Sequence, residues 1–320
     1  LGERRTADDP VDDHLEVGVS VVIPVYNSVD TLADCVDRVA EVLTPRGVAH
    51  EFVLVDDGSA DRSWEIISEL AATHDNLRGL RLSKNFGQHN ALLCGIRTAR
   101  YDTVVTLDDD LQHPPEEIPR LLDALTPGVD VVYGVPNQEQ HGAARDAASR
   151  LSKLVLQRVM GVPHARDVSA YRAFRTRLRD AFAHYSGTTV SIDVLLTWGT
   201  QRFTAIEVEH RPRAAGRSGY TTRKLLTHAL NMVTGYTTLP LRLAALVGFA
   251  LTLVGFGLFV YVLVNYAIRG GQVPGFAFIA SAVTVFSGVQ LFALGVIGEY
   301  LARMHYRLME RPTYVVADVT

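Results

Sequence analysis

Three consecutive carboxylates open the segment Asp108-Asp109-Asp110-Leu111-Gln112-His113-Pro114-Pro115, directly after a short apolar run. Acids crowded in this way repel one another unless a cation lies among them. Carboxylates separated by one residue can point to the same side, so Asp108 and Asp110 are placed to hold a hard ion through oxygen. Mg²⁺ usually takes one or two carboxylates and shares its remaining positions with substrate phosphates, and Gln112 can add a carbonyl oxygen or a water-mediated contact. The competing explanation is an acidic turn before a helix, where aspartate favours the positive end of the helix dipole. The neighbouring clusters tip the balance to the metal.

Asp56-Asp57-Gly58-Ser59 also follows an apolar run and precedes a helical pattern. Its carboxylates can accept hydrogen bonds from a base edge or ribose hydroxyls, and Gly58 permits close backbone approach. Taken alone, simple turn chemistry explains these residues equally well. Pro24-Val25-Tyr26-Asn27 and Ser83-Lys84-Asn85-Phe86-Gly87 are two further polar clusters. There is no Walker A loop and no G-x-G-x-x-G, which argues against a kinase or a dinucleotide dehydrogenase. A cationic region follows: Arg145, Arg150 and Lys153 on an amphipathic stretch (142–160), then Arg166 to Arg172 including Ser169, then Arg213 to Tyr220 including Arg217. Arginine binds phosphate through fork-like, charge-assisted bonds, so at least two of these are expected on a substrate phosphate. The plainer alternative is a solvated basic face or, for residues 211–242, attraction to a membrane surface. His113 and His89 lie near the acids, but lone histidines are more often structural.

These clusters need a frame. VGVSVVIPVY (17–26), FVLVDD (52–57), LRGLRLS (77–83), DTVVTLDD (102–109) and DVVYG (130–134) read as buried strands bounded by polar or Gly/Pro turns. Residues 29–43, 61–74, 88–99 and 115–125 read as helices, with Asp61 and Pro115 as start signals. The alternation predicts a mostly parallel sheet with helices on both faces, in which ligands bind beyond the carboxyl ends of the strands. All four polar clusters stand at such ends.

Nearer the C-terminus, residues 243–268 and 270–298 carry no charge. About 20 apolar residues cross a bilayer core, so spans are expected at about 243–268 and 273–298, joined at Arg269-Gly270-Gly271 as a hairpin. Arg211, Arg213, Arg217, Arg223, Lys224 and Arg242 precede the first span, and Arg303, Arg307 and Arg311 follow the second. This bias puts the bulk of the protein on the cytoplasmic side. The spans have no ionisable residue in their interior, which argues against a transport pathway. Gly248, Gly255 and Gly257 can let spans pack closely, including in a homo-oligomer. Residues 218–239 have basic and apolar faces and read as an interfacial helix.

Composition sets the outer bounds. The 320 residues are 48% hydrophobic and 21% charged, which excludes a disordered chain. The formal net charge of -4 equals that of residues 1–17, so the remainder balances and an overall basic nucleic-acid binder is excluded. Cys35 and Cys94 are too few for a disulfide framework or a multi-cysteine zinc site. Residues 1–16 are acidic without an apolar run and read as a disordered tail rather than a signal peptide.

The order PVYN, VDDGS, LSKNFGQ, LDDDLQHPPE, VSAYR, GRSGY, PLR, two spans and then GEYLARMHYRLMERPTYVV resembles the polyprenyl-phosphate glycosyltransferases. These are membrane-anchored family-2 inverting enzymes, similar to dolichol-phosphate mannose synthase and the bacterial undecaprenyl-phosphate sugar transferases. The resemblance covers roughly residues 18–316, and LDDDLQHPPE combined with the hairpin and RPTYVV is its most specific part. It implies an α/β fold: a type-A glycosyltransferase (Rossmann-like, mostly parallel sheet) domain over 17–210, an acceptor loop and interfacial helix over 211–240, a two-helix transmembrane hairpin over 241–298 and a cytoplasmic segment over 299–320. By the same resemblance, Pro24, Tyr26, Asn27, Asp56 and Asp57 line the nucleotide pocket and Lys84 and Asn85 close its floor, with Asp108 at the diphosphate. Asp108, Asp110 and Gln112 hold Mg²⁺ or Mn²⁺, and Asp108, Asp110, Ser169 and Arg172 serve catalysis. Arg145, Arg150, Ser169, Arg217 and Tyr220 take the acceptor phosphate, the segment around Arg217 to Tyr220 acting as a mobile acceptor loop.

The sequence departs from the family pattern at three places. Ser28 stands where Glu is usual, Gly219 where Lys or Asn is common, and Asp109 where relatives often have a small residue; Asp109 is assigned no ligand role. The implied reaction moves a sugar from a nucleotide-sugar, uridine-based by expectation, to a polyprenyl phosphate in the cytoplasmic leaflet of a bacterial inner membrane. An alternative keeps the donor site and makes diacylglycerol or a protein the acceptor.

Overall fold

β1 (Glu16–Val25) has eight buried residues in succession, the signature of a strand covered on both faces. It belongs to a computed structural model that describes residues 15–136, 168–187, 190–211, 238–269, 275–309 and 311–320. Two units are present: one built on a sheet, to which Pro312–Thr320 also belong, and one holding the helical hairpin.

In the sheet unit β1 lies between β2 (His50–Asp56) and β4 (Tyr101–Thr106), parallel to both, and β3 (Leu77–Leu82) continues the parallel set beyond β2. The strand order is β7-β5-β6-β4-β1-β2-β3-β8. β6 (Arg172–Arg175) runs antiparallel to β4 and to β5 (Val131–Pro136), whereas β7 (Phe203–Val208) is parallel to β5. β8 (Val316–Val319) closes the other edge antiparallel to β3. The five expected strands are present. β6, β7 and β8 were not anticipated, because short strands with no apolar run of their own give little periodic signal.

Alternation along the strands separates two cores. Val21, Ile23, Phe52 and Leu54 pack with Cys35, Val36 and Val39 of α1 (Leu32–Leu43) and Ile67 of α2 (Ser63–Thr73). On the other face α3 (Gln88–Thr98) lies directly on the strands, and a Cβ at Gly95 would come within 2.4 Å of Val22 and 3.1 Å of Val55. The helix expected over 115–125 splits into a 3-10 turn, Pro115–Glu117, and α4 (Ile118–Ala124), with a proline in the first turn of each, where the missing N–H costs nothing. α5 (Ile192–Gly199) completes the unit.

The hairpin unit contains α6 (Leu239–Arg269) and α7 (Phe276–Leu308). Pro240–Val262 of α6 is long and apolar enough to cross a membrane, with mean hydropathy 2.4. In α7 the apolar stretch found among the described residues is the shorter Phe286–Ala302. Both helices outrun the expected bounds, since α6 starts at Leu239 and α7 continues to Leu308. They meet closely at Gly255, where an added Cβ would stand 3.3 Å from the Phe286 ring.

Candidate active site

The carboxyl ends of four parallel strands converge on one cavity of about 220 Å³. β1 supplies Pro24, Val25 and Tyr26; the turn after β2 supplies Asp57; the β3–α3 connection supplies Asn85, Gly87 and Gln88; and the turn after β4 supplies Asp108, Asp109 and Asp110. β1 has its successor β2 on one side and β4 on the other, so the strand order reverses at this point, which is where open α/β sheets form a crevice.

The walls are fixed by short polar contacts. Asp57 accepts the N–H of Phe86 at 2.7 Å and of Gly87 at 2.8 Å, clamping the β3–α3 connection to the β2–α2 turn. Burial raises the Asp57 carboxyl above its ordinary value, against the pull of those two N–H groups. Gly58 has φ +67, and a Cβ there would meet the Lys84 carbonyl carbon at 2.5 Å and the Asn85 nitrogen at 2.7 Å. Only glycine lets these two turns touch. Asn27 adopts φ 54, donates its N–H to Ser59 Oγ at 3.0 Å and accepts the Ala60 N–H at 2.9 Å. Asp56 is fully buried, caps the Ser59 N–H at 3.0 Å and pairs with Arg81 at 3.5 Å.

The β4 turn carries the charge. Asp108 accepts the Gln88 side-chain amide at 2.6 Å, and Asp110 accepts the Gln112 N–H at 3.1 Å across Leu111, which adopts φ 57. Asp109 is pushed up to about 7, chiefly by burial and further by the charges of Asp108 and Asp110, with a Ser28 hydrogen bond opposing. Its Oδ2 is buried without a hydrogen-bond partner. Ser28 and Asp109, two of the departures from the family pattern, are therefore in contact. The His113 ring stacks on Tyr171 at 5.2 Å and lies 5.1 Å from the His210 ring. Burial and then His210 hold its pKa down to about 4, so it is a neutral packing group.

Of the residues expected at the donor, Pro24, Tyr26, Asp57, Asn85, Asp108 and Asp110 line the cavity. Asn27 and Asp56 brace the wall from behind, Lys84 lies exposed with its Nζ 5.1 Å from the Phe86 ring, and Gln112 is not part of the lining. Gln88 was missed, although it directly follows the Lys84–Gly87 cluster, while Val25, Gly87 and Asp109, members of the clusters singled out but given no role, also line the cavity. Arg172 requires a correction. It is 1% exposed, its guanidinium is paired with buried Asp193, and its Nε donates to Thr106 Oγ1 at 3.1 Å. With its charge consumed inside the protein, Arg172 braces the β4–β6 junction instead of meeting substrate. Ser169 accepts the Tyr171 N–H at 3.2 Å. Arg145, Arg150, Arg217, Tyr220, the stretch 142–160 and nearly all of the expected interfacial helix lie outside the described residues.

Comparison with known proteins identifies the family. The model of glycosyl transferase family 2 matches residues 20–185, and that of the GtrB C-terminal hairpin matches residues 239–304. An undecaprenyl-phosphate 4-deoxy-4-formamido-L-arabinose transferase of Pseudomonas aeruginosa is 40% identical, covering 94% of this chain and 90% of that protein. One of the same name from Yersinia pestis is 36% identical over 94% of this chain and 93% of its own length. Glucosyl-3-phosphoglycerate synthase from Mycobacterium tuberculosis, solved in complex with Mn²⁺, uridine diphosphate and phosphoglyceric acid, aligns with 68% of this chain and 76% of its own at 17% identity and TM-score 0.49. Since the matched segment spans the strands whose ends build the cavity, and relatives align along nearly the whole length, the chain belongs to glycosyl transferase family 2 and carries a GtrB-type hairpin.

Proposed function

We propose that the protein transfers a sugar from a nucleotide-sugar, a uridine diphosphate sugar, to a polyprenyl monophosphate at the cytoplasmic face of a bacterial inner membrane, with inversion. The observation that carries this reading is the row Asp108–Asp110 in the same strand-end cavity as Tyr26, Asp57 and Asn85. The names of the end-to-end relatives supply the acceptor class.

A divalent cation fits the acidic wall. The Oδ2 of Asp109 is buried without a partner, and its carboxyl, raised chiefly by burial, is pushed further by the Asp108 and Asp110 charges, a negative field that a cation relieves. Among the described residues no group of three or more His, Cys, Asp and Glu is arranged to hold a metal ion. Asp108 and Asp110 would hold Mg²⁺ or Mn²⁺, which when bound supplies Lewis-acid stabilisation of the departing diphosphate. Asp57 keeps the β3–α3 connection against the nucleotide side of the cavity, and Tyr26, 52% exposed, offers a ring face at its mouth. The attacking phosphate oxygen needs no strong base, because a phosphomonoester's second pKa is about 6. Orientation of that phosphate by arginines contributes more, and Arg145, Arg150 and Arg217 are assigned to it.

The hairpin answers the acceptor's location. Leu246, Phe249, Leu253 and Phe256 of α6 are all more than half exposed, a surface that water disfavours and lipid accepts. Gly248 and Gly257 have open space beside them and leave room for a second copy. Asp110→Ala tests the reading: transfer to polyprenyl phosphate, followed as an acid-labile phosphosugar lipid, should fall about 10²–10³-fold while folding and membrane insertion persist. Full activity in that variant refutes the metal role.

A further inference from the structure

Pro312–Thr320 follow the hairpin in sequence yet belong to the sheet unit. Their strand, β8, is exposed at every position, so burial of its side chains does not explain why it is there. The ties of this segment run from Gly79 to Ser83. At the start, the Gly79 N–H donates to Thr320 Oγ1 at 2.7 Å and the Thr320 N–H donates to Gly79 O at 3.1 Å. In the middle, Asp318 lies 4.0 Å from Arg81, whose Nε is 3.5 Å from the buried Oδ2 of Asp56. At the end, the Ser83 N–H donates to Val315 O at 2.9 Å. Tyr314 adds an anchor on α3, sharing a hydrogen bond with Cys94 and lying under the Arg97 guanidinium at 5.8 Å.

Ser83 is the root of the cavity lip, since the next residues, Lys84 to Gly87, supply Asn85 and Gly87 to the wall. Asp57 grips the far end of the lip through the N–H groups of Phe86 and Gly87, and Val315 fixes its near end. The same strand steadies Arg81, the one ion-pair partner of Asp56 among the described residues. Asp56 in turn caps the Ser59 N–H of the adjoining turn. Two walls of one cavity thus depend on a strand far away in sequence.

We infer that the C-terminal strand, with Tyr314, is a positioning element of the donor site: it sets the Ser83–Gly87 lip and the Arg81–Asp56 pair, and through them the affinity for the nucleotide part of the donor. The inference rests on reading the cavity as the nucleotide site. Its residues touch no substrate and act through the lip.

The test uses the otherwise complete chain in lipid nanodiscs, with Val315–Thr320 deleted or with Asp318→Asn and Thr320→Val combined. The double variant alters exposed edge positions only and carries the test should the deletion fail to fold. Amide hydrogen exchange over Ser83–Gly87, uridine diphosphate binding by calorimetry and the KM of each substrate are measured against wild type. Losing about one net hydrogen bond, Ser83–Val315 in the deletion or Gly79–Thr320 Oγ1 in the double variant, predicts roughly fivefold faster exchange in the lip and about fivefold weaker binding. The donor KM should rise in step, the acceptor KM should stay unchanged, and Asp318→Glu should behave as wild type. Unchanged exchange in the lip, or equal acceleration across β1 and β2, overturns the inference. So does a loosened lip with unaltered uridine diphosphate affinity, an outcome that leaves the donor reading standing. Failure of the wild-type protein to bind any nucleoside diphosphate overturns the donor reading, and the claim on affinity falls with it.

Discussion

Replacing Arg172 with methionine separates a strut from a substrate contact. The side chain is 1% exposed, and besides its pairing with Asp193 it donates to Thr106 Oγ1 at 3.1 Å and to Ala170 O at 3.4 Å. Asp193, 5% exposed, also accepts the Tyr133 hydroxyl at 3.1 Å, so the tie joins β4, β5, β6 and α5. Arg172→Met leaves the Asp193 charge buried with only the tyrosine hydroxyl to support it. Breaking a buried pair from one side costs about 3–5 kcal/mol. For a unit of this size, about 2–4 °C accompanies each kcal/mol, so the melting temperature should drop by about 6–20 °C. Adding Asp193→Leu removes the stranded charge, and much of the loss should return as a favourable coupling in the double-mutant cycle. Differential scanning calorimetry on the detergent-solubilised full chain reads all four corners of the cycle. If Arg172→Met melts within about 2 °C of wild type yet has lost transfer, the guanidinium acts on substrate and the structural assignment is wrong.

Other outcomes follow from the same geometry. Gly58→Ala must push against the Lys84 and Asn85 backbone at 2.5–2.7 Å from a φ of +67, so it should raise the donor KM at least about tenfold with little change in acceptor KM. Asp130 is held down to about 2, because hydrogen bonds from Arg202, Thr200 and Arg177 outweigh the upward push of burial. A carboxyl depressed in the folded state stabilises above its ordinary value of 3.8, and that contribution disappears as the pH falls toward 2; Asp130→Asn should flatten the acid limb of a stability–pH curve over that window. Burial pushes the Cys94 thiol up to about 12 and Cys35 higher still, so iodoacetamide at pH 8 should label neither in native protein and both after unfolding.

What the sequence determined by itself was local. Runs such as residues 21–25 and 52–55 are apolar throughout, which favours interior parallel strands, and the polar groups after them then gather at one end of the sheet. That logic placed the four polar clusters at the strand ends, and the family resemblance singled out from them Pro24, Tyr26, Asp57, Asn85, Asp108 and Asp110, which line the cavity. Tertiary structure decided the rest, because it turns on partners distant in the chain. Whether an arginine meets substrate or a buried aspartate depends on where residue 193 lies relative to residue 172, which no periodicity encodes. The difference between Asp56 and Asp57 is equally non-local: one faces Arg81 and the Ser59 N–H, the other the amides of Phe86 and Gly87. β8 and its flank are the extreme case: Thr320 meets Gly79 across 241 residues, through its hydroxyl and through backbone groups that every sequence carries alike.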